Sequence, residues 1–122
     1  MPDEYLSLVA DLKNLIQLDE NDNETVLPMA EDGWTTRPET VSYGLVSLDF
    51  EVDSLTGDDQ KKAASYEGSV DLFSLVKSGA GWVPMIREVL TEHCGAVWYL
   101  NHHTYEQNTG LWHWEWAFQV EE

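Results

Sequence analysis

The segment Leu111–Gln119, LWHWEWAFQ, constrains the fold more than any other part of this 122-residue chain. Residues two apart in a β-strand share one face, so apolar residues at every second position predict a strand with one wet face and one apolar face. The apolar face carries Trp112, Trp114, Trp116, Phe118 and Val120. The opposite face carries His113, Glu115, Ala117 and Gln119.

The aromatic face has two main interpretations. Buried aromatic side chains dominate the energetics of small cores, so the whole face could lie under helices. Alternatively, its outer end near the preceding turn is exposed and anchors a partner, because Trp is enriched at interface hot spots. We therefore take Trp112 and Trp114 as candidate interface residues, and Trp116 and Phe118 as core. A sugar-binding platform is disfavoured, since the neighbours on this face are apolar.

The charge balance excludes ordinary nucleic-acid binding. The chain has 23 Asp and Glu against 6 Lys and Arg, a formal net charge of -17. Such a chain repels the phosphate backbone, which proteins normally hold with Lys and Arg. Two other relationships with DNA stay open, namely mimicry of its charge and the lining of a channel through which it slides. With 43% hydrophobic residues, the chain can still build the core of a single domain covering residues 1–122.

The acidic start, the short apolar runs and the single cysteine of the sequence predict the localisation. The start, MPDEYLSLV, is acidic where a signal peptide would be basic. No apolar run approaches the roughly 20 residues that span a bilayer. Cys94 is the only cysteine, so neither an intrachain disulfide nor a cysteine metal cage can form. We expect a cytoplasmic protein without membrane contacts.

Hydrophobic periodicity predicts two helices. Pro2–Ile16 has an amphipathic pattern and the polar run LDENDNET follows it, so we expect the helix to stop near Leu18. The second helix is WVPMIREVLTEH, with Pro84 in its first turn and Gly95 as its cap.

Alternation of period two predicts the sheet. One strand contains Val46, Leu48, Phe50 and Val52 at alternate positions, and ASYEGSVDLFSLV pairs with it as a long hairpin. AVWYLNHHTYE and LWHWEWAFQV form a second hairpin through an Asn- and Gly-rich turn. Val26–Met29 is predicted as a short strand at the edge of the sheet, because Pro28 cannot donate a hydrogen bond to a neighbouring strand. The predicted fold class is α+β, an antiparallel sheet of about four strands in two hairpins with two helices packed on one face.

Chemical motifs are few. His102 and His113 lie opposite each other in one hairpin register, with Glu115 nearby, which would suit a metal; solvated cross-strand side chains are the alternative. Asp53–Asp59 is rich in Asp but lacks the ligand spacing of an EF-hand loop. Cys94 has only its neighbour His93 as a base. We expect no catalytic residues, no bound metal and no cofactor.

The two hairpins together resemble a known class of proteins. YGLVSLDFEVDSLTGDDQKKAASYEGSVDLFSLVKSG ends in a VDLF strand, a helix follows, and WYLNHHTYEQNTGLWHWEWAFQV closes the chain with a YE…TG…HWEW arrangement. This pattern, over Tyr43–Val120, resembles the tail-completion or tail-terminator (head–tail joining) proteins of siphophages and prophages.

The resemblance implies a structural role in virion assembly. Such proteins form a ring, commonly a hexamer, at the head-proximal end of the tail tube, and contact the tube and the head connector. The protein would then be cytoplasmic in the bacterial host before it joins the virion tail. A negative lumen would repel DNA in transit. The candidate lumen- or partner-facing acids are Asp49, Glu51, Asp53, Asp58 and Asp59.

Two other functions stay open from the sequence. An acidic DNA mimic that blocks a basic enzyme would use the same charge, arranged as phosphates are on DNA. A small-ligand binding module would use the tryptophan face as a pocket. The ring hypothesis differs from both because it predicts self-association or docking on a tail tube.

Overall fold

The strands of this protein form one large sheet and one small one. The computed structural model describes residues 3–55, 61–95 and 97–121, with side chains omitted at 50–55 and 61–64. The described elements are α1 (Asp3–Lys13), β1 (Ile16–Leu18), β2 (Glu24–Val26), β3 (Met29–Glu31), β4 (Ser42–Leu55), β5 (Lys61–Ser74), α2 (Trp82–Cys94), β6 (Trp98–Glu106) and β7 (Leu111–Glu121).

The large sheet has the strand order β3-β4-β5-β7-β6. Both predicted hairpins are present, as the antiparallel pairs β4–β5 and β6–β7. The prediction of about four antiparallel strands is wrong in one respect, because β3 adds a fifth strand, parallel to β4. The α+β class is confirmed.

The additional strand begins directly after Pro28. Proline cannot donate to a ladder, but the Pro28 carbonyl accepts a hydrogen bond from the Gly44 N–H at 2.7 Å. The Trp34 indole N–H donates to the Gly44 carbonyl oxygen at 2.9 Å and ties the connecting loop to the same point. The predicted edge strand at residues 26–29 is therefore divided at Pro28 between β2 and β3.

The first helix ends earlier than its periodicity predicts. α1 stops at Lys13, and β1 pairs antiparallel with β2, with Ile16 opposite Val26. Asp19 stabilises the connecting turn by accepting hydrogen bonds from the backbone N–H groups of Asn21 and Asn23. Ile16 was predicted in the apolar stripe of the helix, but it is 41% exposed.

The two helices cover one face of the large sheet. The Tyr5 ring of α1 stacks on Phe118 of β7, with centroids 6.3 Å apart. Ile86 and Leu90 of α2 are fully buried in the same core. The remaining buried sheet residues in this core are Val46, Val70, Leu72, Trp114, Trp116 and Val120. The aromatic face of β7 is therefore largely core.

His93 joins the two helices. Its Nδ1 lies 2.7 Å from Glu4 Oε1 and its Nε2 lies 2.6 Å from Asp11 Oδ2, so both ring nitrogens of this α2 residue meet carboxylates of α1. Burial lowers the pKa of His93, but the hydrogen bonds with Asp11 and Glu4 and the charges of both outweigh it, so the pKa is raised above its ordinary value.

This arrangement predicts a pH-dependent contribution of His93 to stability. A raised folded-state pKa stabilises the fold fully below the unfolded pKa of about 6.5, and the contribution is lost as the pH rises through the folded pKa. His93→Gln should lower the free energy of unfolding in mildly acidic buffer by on the order of 1 kcal/mol, because both carboxylates are half exposed. Urea denaturation measures the effect, and the loss should shrink in alkaline buffer.

His102→Gln is the matched control, because His102 lies exposed on β6. Its effect on unfolding should be small at both pH values. An equal loss for His93→Gln in acidic and alkaline buffer would mean that His93 contributes packing rather than charge.

Candidate functional site

The face of the sheet away from the helices contains an acidic groove. Three carboxylates line it, from Asp49 of β4, Glu67 of β5 and Glu115 of β7. The groove has a volume of about 670 Å³, and exposed Tyr99 of β6 forms part of its wall. Burial, with a smaller effect of the Glu115 charge, raises the pKa of Asp49. The groove therefore concentrates negative charge on one surface.

Asp49 is the only one of the five candidate acids whose side chain the structure describes. It lies at an irregularity, since Leu48 pairs with Gly68 but Phe50 pairs with Glu67. The register shift interrupts the strict alternation that the sequence predicts for β4. Glu51 and Asp53 are strand residues without described side chains, and Asp58 and Asp59 lie outside the described residues.

Beside the groove, a histidine and an aspartate meet across β5 and β7. The antiparallel register places Asp71 opposite Glu115 and Phe73 opposite His113. His113 Nε2 lies 2.6 Å from Asp71 Oδ1, and only 10% of the Asp71 side chain is exposed. The pair is thus largely removed from water.

Aromatic rings enclose this pair. Phe73 stacks on the His113 ring with centroids 4.3 Å apart, and Tyr43 of β4 stacks on Phe73 at 5.0 Å. The His102 ring lies 5.3 Å from the His113 ring in an edge-on arrangement. Four strands of the large sheet, β4, β5, β6 and β7, therefore contribute side chains to one cluster.

A further carboxylate approaches the second nitrogen of His113. Glu106 Oε2 lies 3.3 Å from His113 Nδ1, although the two atoms do not form a hydrogen bond. Burial lowers the pKa of His113, but the hydrogen bond with Asp71 and the charges of Asp71 and Glu106 raise it overall. Burial also raises the pKa of Asp71, against the smaller opposing effects of the His113 hydrogen bond and charge.

The sequence predicted part of this cluster. The predicted pairing of His102 with His113 is wrong, because the β6–β7 register places His102 opposite Glu115 and Thr104 opposite His113. The expected proximity of the three side chains in one hairpin is nevertheless present, since the two histidine rings lie 5.3 Å apart. Asp71 was missed as a partner of His113. Asp71 and Phe73 are two residues apart in β5 and so share a face, but the β5–β7 register that brings them to His113 joins strands separated by α2.

The two candidate interface tryptophans occupy different environments. Trp114 is 4% exposed and belongs to the core, so the core interpretation holds for it. Trp112 is half-buried at the edge of the core, where Tyr105 packs against it at 5.1 Å and the Lys77 ammonium lies 5.6 Å from the ring. An interface role stays a prediction for Trp112.

Besides a group at Val41, Leu75 and Val76, two groups of exposed apolar side chains lie at or near the two outer strands of the large sheet. The first, here called the β6 edge surface, consists of Val97, Tyr99, Leu100 and Tyr105. The second, here called the hairpin surface, consists of Ile16, Leu18 and Val26 of the β1–β2 pair. The sequence did not predict the hairpin surface, because its residues were expected in a helix and an edge strand.

The remaining candidate residues from the sequence are poorly suited to catalysis or metal binding. Cys94 is buried, and this burial, with a smaller effect of the Glu4 charge, raises the pKa of its thiol to about 12. Such a thiol is a poor nucleophile at neutral pH. The Asp53–Asp59 segment lies largely outside the described residues.

Comparisons with known proteins leave the chain without an assigned family. No protein-family description matches it, and no curated protein does either. Within the described residues, neither helix has the length and apolar character to cross a membrane.

Proposed function

We propose that this protein is a structural subunit of a phage or prophage tail, a tail terminator or head–tail joining protein that assembles as a ring. The observation that carries the proposal is the pair of exposed apolar surfaces at different sites of the fold. A ring needs a heterologous interface, in which one patch of a subunit meets a different patch of the next. The two surfaces supply such patches.

The β6 edge surface supports subunit contact because β6 is an outer strand of the sheet. An outer strand presents unpaired backbone N–H and C=O groups, and proteins usually protect it with lysine or proline. The β6 sequence, WYLNHHTYE, contains neither. Exposed Tyr99, Leu100 and Tyr105 surround this edge.

The hairpin surface supports the complementary contact. Gln17 lies between Ile16 and Leu18 and donates a hydrogen bond from Nε2 to the Ala80 carbonyl oxygen at 3.0 Å, which holds β1 against the domain. Residues two apart share a face, so Ile16 and Leu18 point away from that contact. The hairpin leads into β3, the outer strand opposite β6 in the large sheet.

The negative charge supports a role around DNA. The chain has a formal net charge of -17, and the groove adds local carboxylates on the face without helices. Coulomb repulsion would keep DNA from adhering to a ring of such subunits. The resemblance supplies the expected partners, which are the tail-tube protein and the head connector, and a hexameric ring.

The proposal predicts the state of association. Light scattering coupled to size exclusion should show a ring-sized species in high salt or with purified tail-tube protein, because salt screens the repulsion between subunits. At low salt without the tube, we expect monomers. A monomer under every condition, indifferent to the tube, would contradict the ring and favour the acidic DNA-mimic alternative.

Paired variants test the heterologous contact. Leu100→Glu on β6 and Leu18→Glu on β1 should each give a folded monomer, because each places a charge in one of the two patches. A mixture of the two variants should form a one-to-one dimer, since one intact copy of each patch remains. Leu6→Glu is the matched control, because Leu6 is an exposed apolar residue of α1 outside both surfaces.

The mixing experiment distinguishes a heterologous contact from a symmetric contact between two copies of β6. If β6 instead paired with β6 of a second copy, Leu18→Glu would assemble with itself, and Leu100→Glu would stay monomeric in the mixture. Trp112→Ala tests the tryptophan hypothesis in the same assay. We expect it to leave the fold intact and weaken assembly.

A further inference from the structure

The cluster around His113 has an excess of negative charge. Asp71, Glu106 and Glu115 surround a single imidazole, so the four groups carry a net charge of -2 when the carboxylates are ionised and the ring is doubly protonated. Within the described part of the chain, no lysine or arginine forms an ion pair with these acids. Like charges held together in a partly buried site are costly without a compensating cation.

The geometry of three of these groups fits one metal ion. One ligand atom from each of Asp71, His113 and Glu115 lies within 4.8 Å of the others. Asp71 of β5 stands directly across the ladder from Glu115 of β7, and His113 lies two residues from Glu115 on the same strand, so the backbone holds the three residues in place. Two carboxylates and an imidazole are a donor set for Zn²⁺ and related divalent ions.

Outer contacts would orient these ligands. Asn101 Nδ2 donates a hydrogen bond to Glu115 Oε1 at 2.6 Å, which leaves Oε2 available. Glu106 lies next to His113 Nδ1, the nitrogen that would not bind the metal, and Thr109 Oγ1 donates to Glu106 Oε1 at 3.3 Å. Metal-binding histidines usually have a carboxylate or carbonyl at this second nitrogen.

We propose that Asp71, His113 and Glu115 bind one divalent transition-metal ion of the Zn²⁺ class. The ion replaces the proton between Asp71 and His113, which is released to solvent, and reduces the net charge of the four groups from -2 to -1. Because Glu115 also lines the acidic groove, the proposed site adjoins that groove. This site is independent of the proposed ring, since all three ligands belong to one chain.

A second cluster of the same residue types serves as an internal control. Asp11, Glu92 and His93 also lie within ligand distance of one another, but both acids are exposed. We therefore expect the ion to choose the cluster at His113.

Calorimetric titration of the tag-free full chain with ZnCl₂ near neutral pH tests the site. We expect one ion per chain. Glu115→Gln and Glu106→Gln should each weaken Zn²⁺ binding by about 10-fold or more, the first by removing a ligand and the second by removing its support. His113→Gln should abolish binding, and His93→Gln should leave it unchanged.

Nitrogen NMR of the imidazoles supplies a readout that does not depend on affinity. Zn²⁺ should shift the Nε2 resonance of His113 and leave that of His93 in place. The partly exposed Glu115 can be changed without emptying the core, so it answers the question even if an Asp71 variant fails to fold. Absence of saturable binding, or binding that survives Glu115→Gln and His113→Gln or disappears with His93→Gln, would overturn the proposal.

Discussion

Gly68→Ala is expected to destabilise the protein by about 3 kcal/mol or more, at the upper end of the usual cost of overpacking. A Cβ at this position would stand 2.3 Å from the Ser47 carbonyl oxygen and 2.6 Å from Phe118 Cζ. The first atom is backbone of the paired strand β4, and the second belongs to a ring buried under Tyr5. Neither can withdraw without disturbing the sheet or the core.

Urea denaturation of Gly68→Ala measures this effect. Gly33→Ala is the matched control, because a Cβ at Gly33 would meet no atom within 4 Å, and its stability should change little. An unchanged unfolding midpoint for Gly68→Ala would show that β4 and Phe118 can move away from Gly68. The close packing around Gly68 would then contribute little to the free energy of unfolding.

Trp116→Ala is expected to cost on the order of 3–5 kcal/mol, the usual range for removing a buried aromatic side chain. Trp116 is 1% exposed and stands opposite Val70 on β5 and Leu100 on β6, at the middle of the aromatic face. Because small domains are stable by only about 5–15 kcal/mol, this loss should unfold a large part of the population. Chemical denaturation and near-ultraviolet circular dichroism measure it.

Trp112→Ala is the comparison for Trp116→Ala, because both residues lie on the same face of β7. Trp112 is half-buried at the edge of the core, so the loss in unfolding free energy should be clearly smaller. If both variants lost the same free energy of unfolding, Trp112 would be a core residue, and its candidate interface role would be withdrawn.

The elements with strong local periodicity could be predicted from the sequence. Four strands, two helices and the core assignment of Trp116 follow from periods of 2 and 3.6 residues. The three short strands could not be predicted in the same way. Each has three residues, and β3 depends on a parallel partner, Gly44–Val46, that lies beyond a ten-residue loop. A pattern of three residues is too short to show a period.

The contacts of the candidate site also differ in how far apart their residues are in the sequence. The proximity of His102, His113 and Glu115 is local to one hairpin and was predicted, although the partner directly opposite His102 is Glu115 rather than His113. The contact between Asp71 and His113 requires the pairing of β5 with β7 across the whole of α2. The same distance explains why the excess charge around His113 is invisible in the linear sequence.

The position of β7 between β5 and β6 has a consequence for synthesis on the ribosome. The β4–β5 hairpin emerges first, and one edge of β5 stays unpaired until residues 111–121 have been translated. Until then Val70 and Leu72 have no aromatic strand beside them, and Asp71 has no histidine. We expect the nascent chain to gain protection from proteolysis in a late, abrupt step, when one strand closes the ladder on both of its sides.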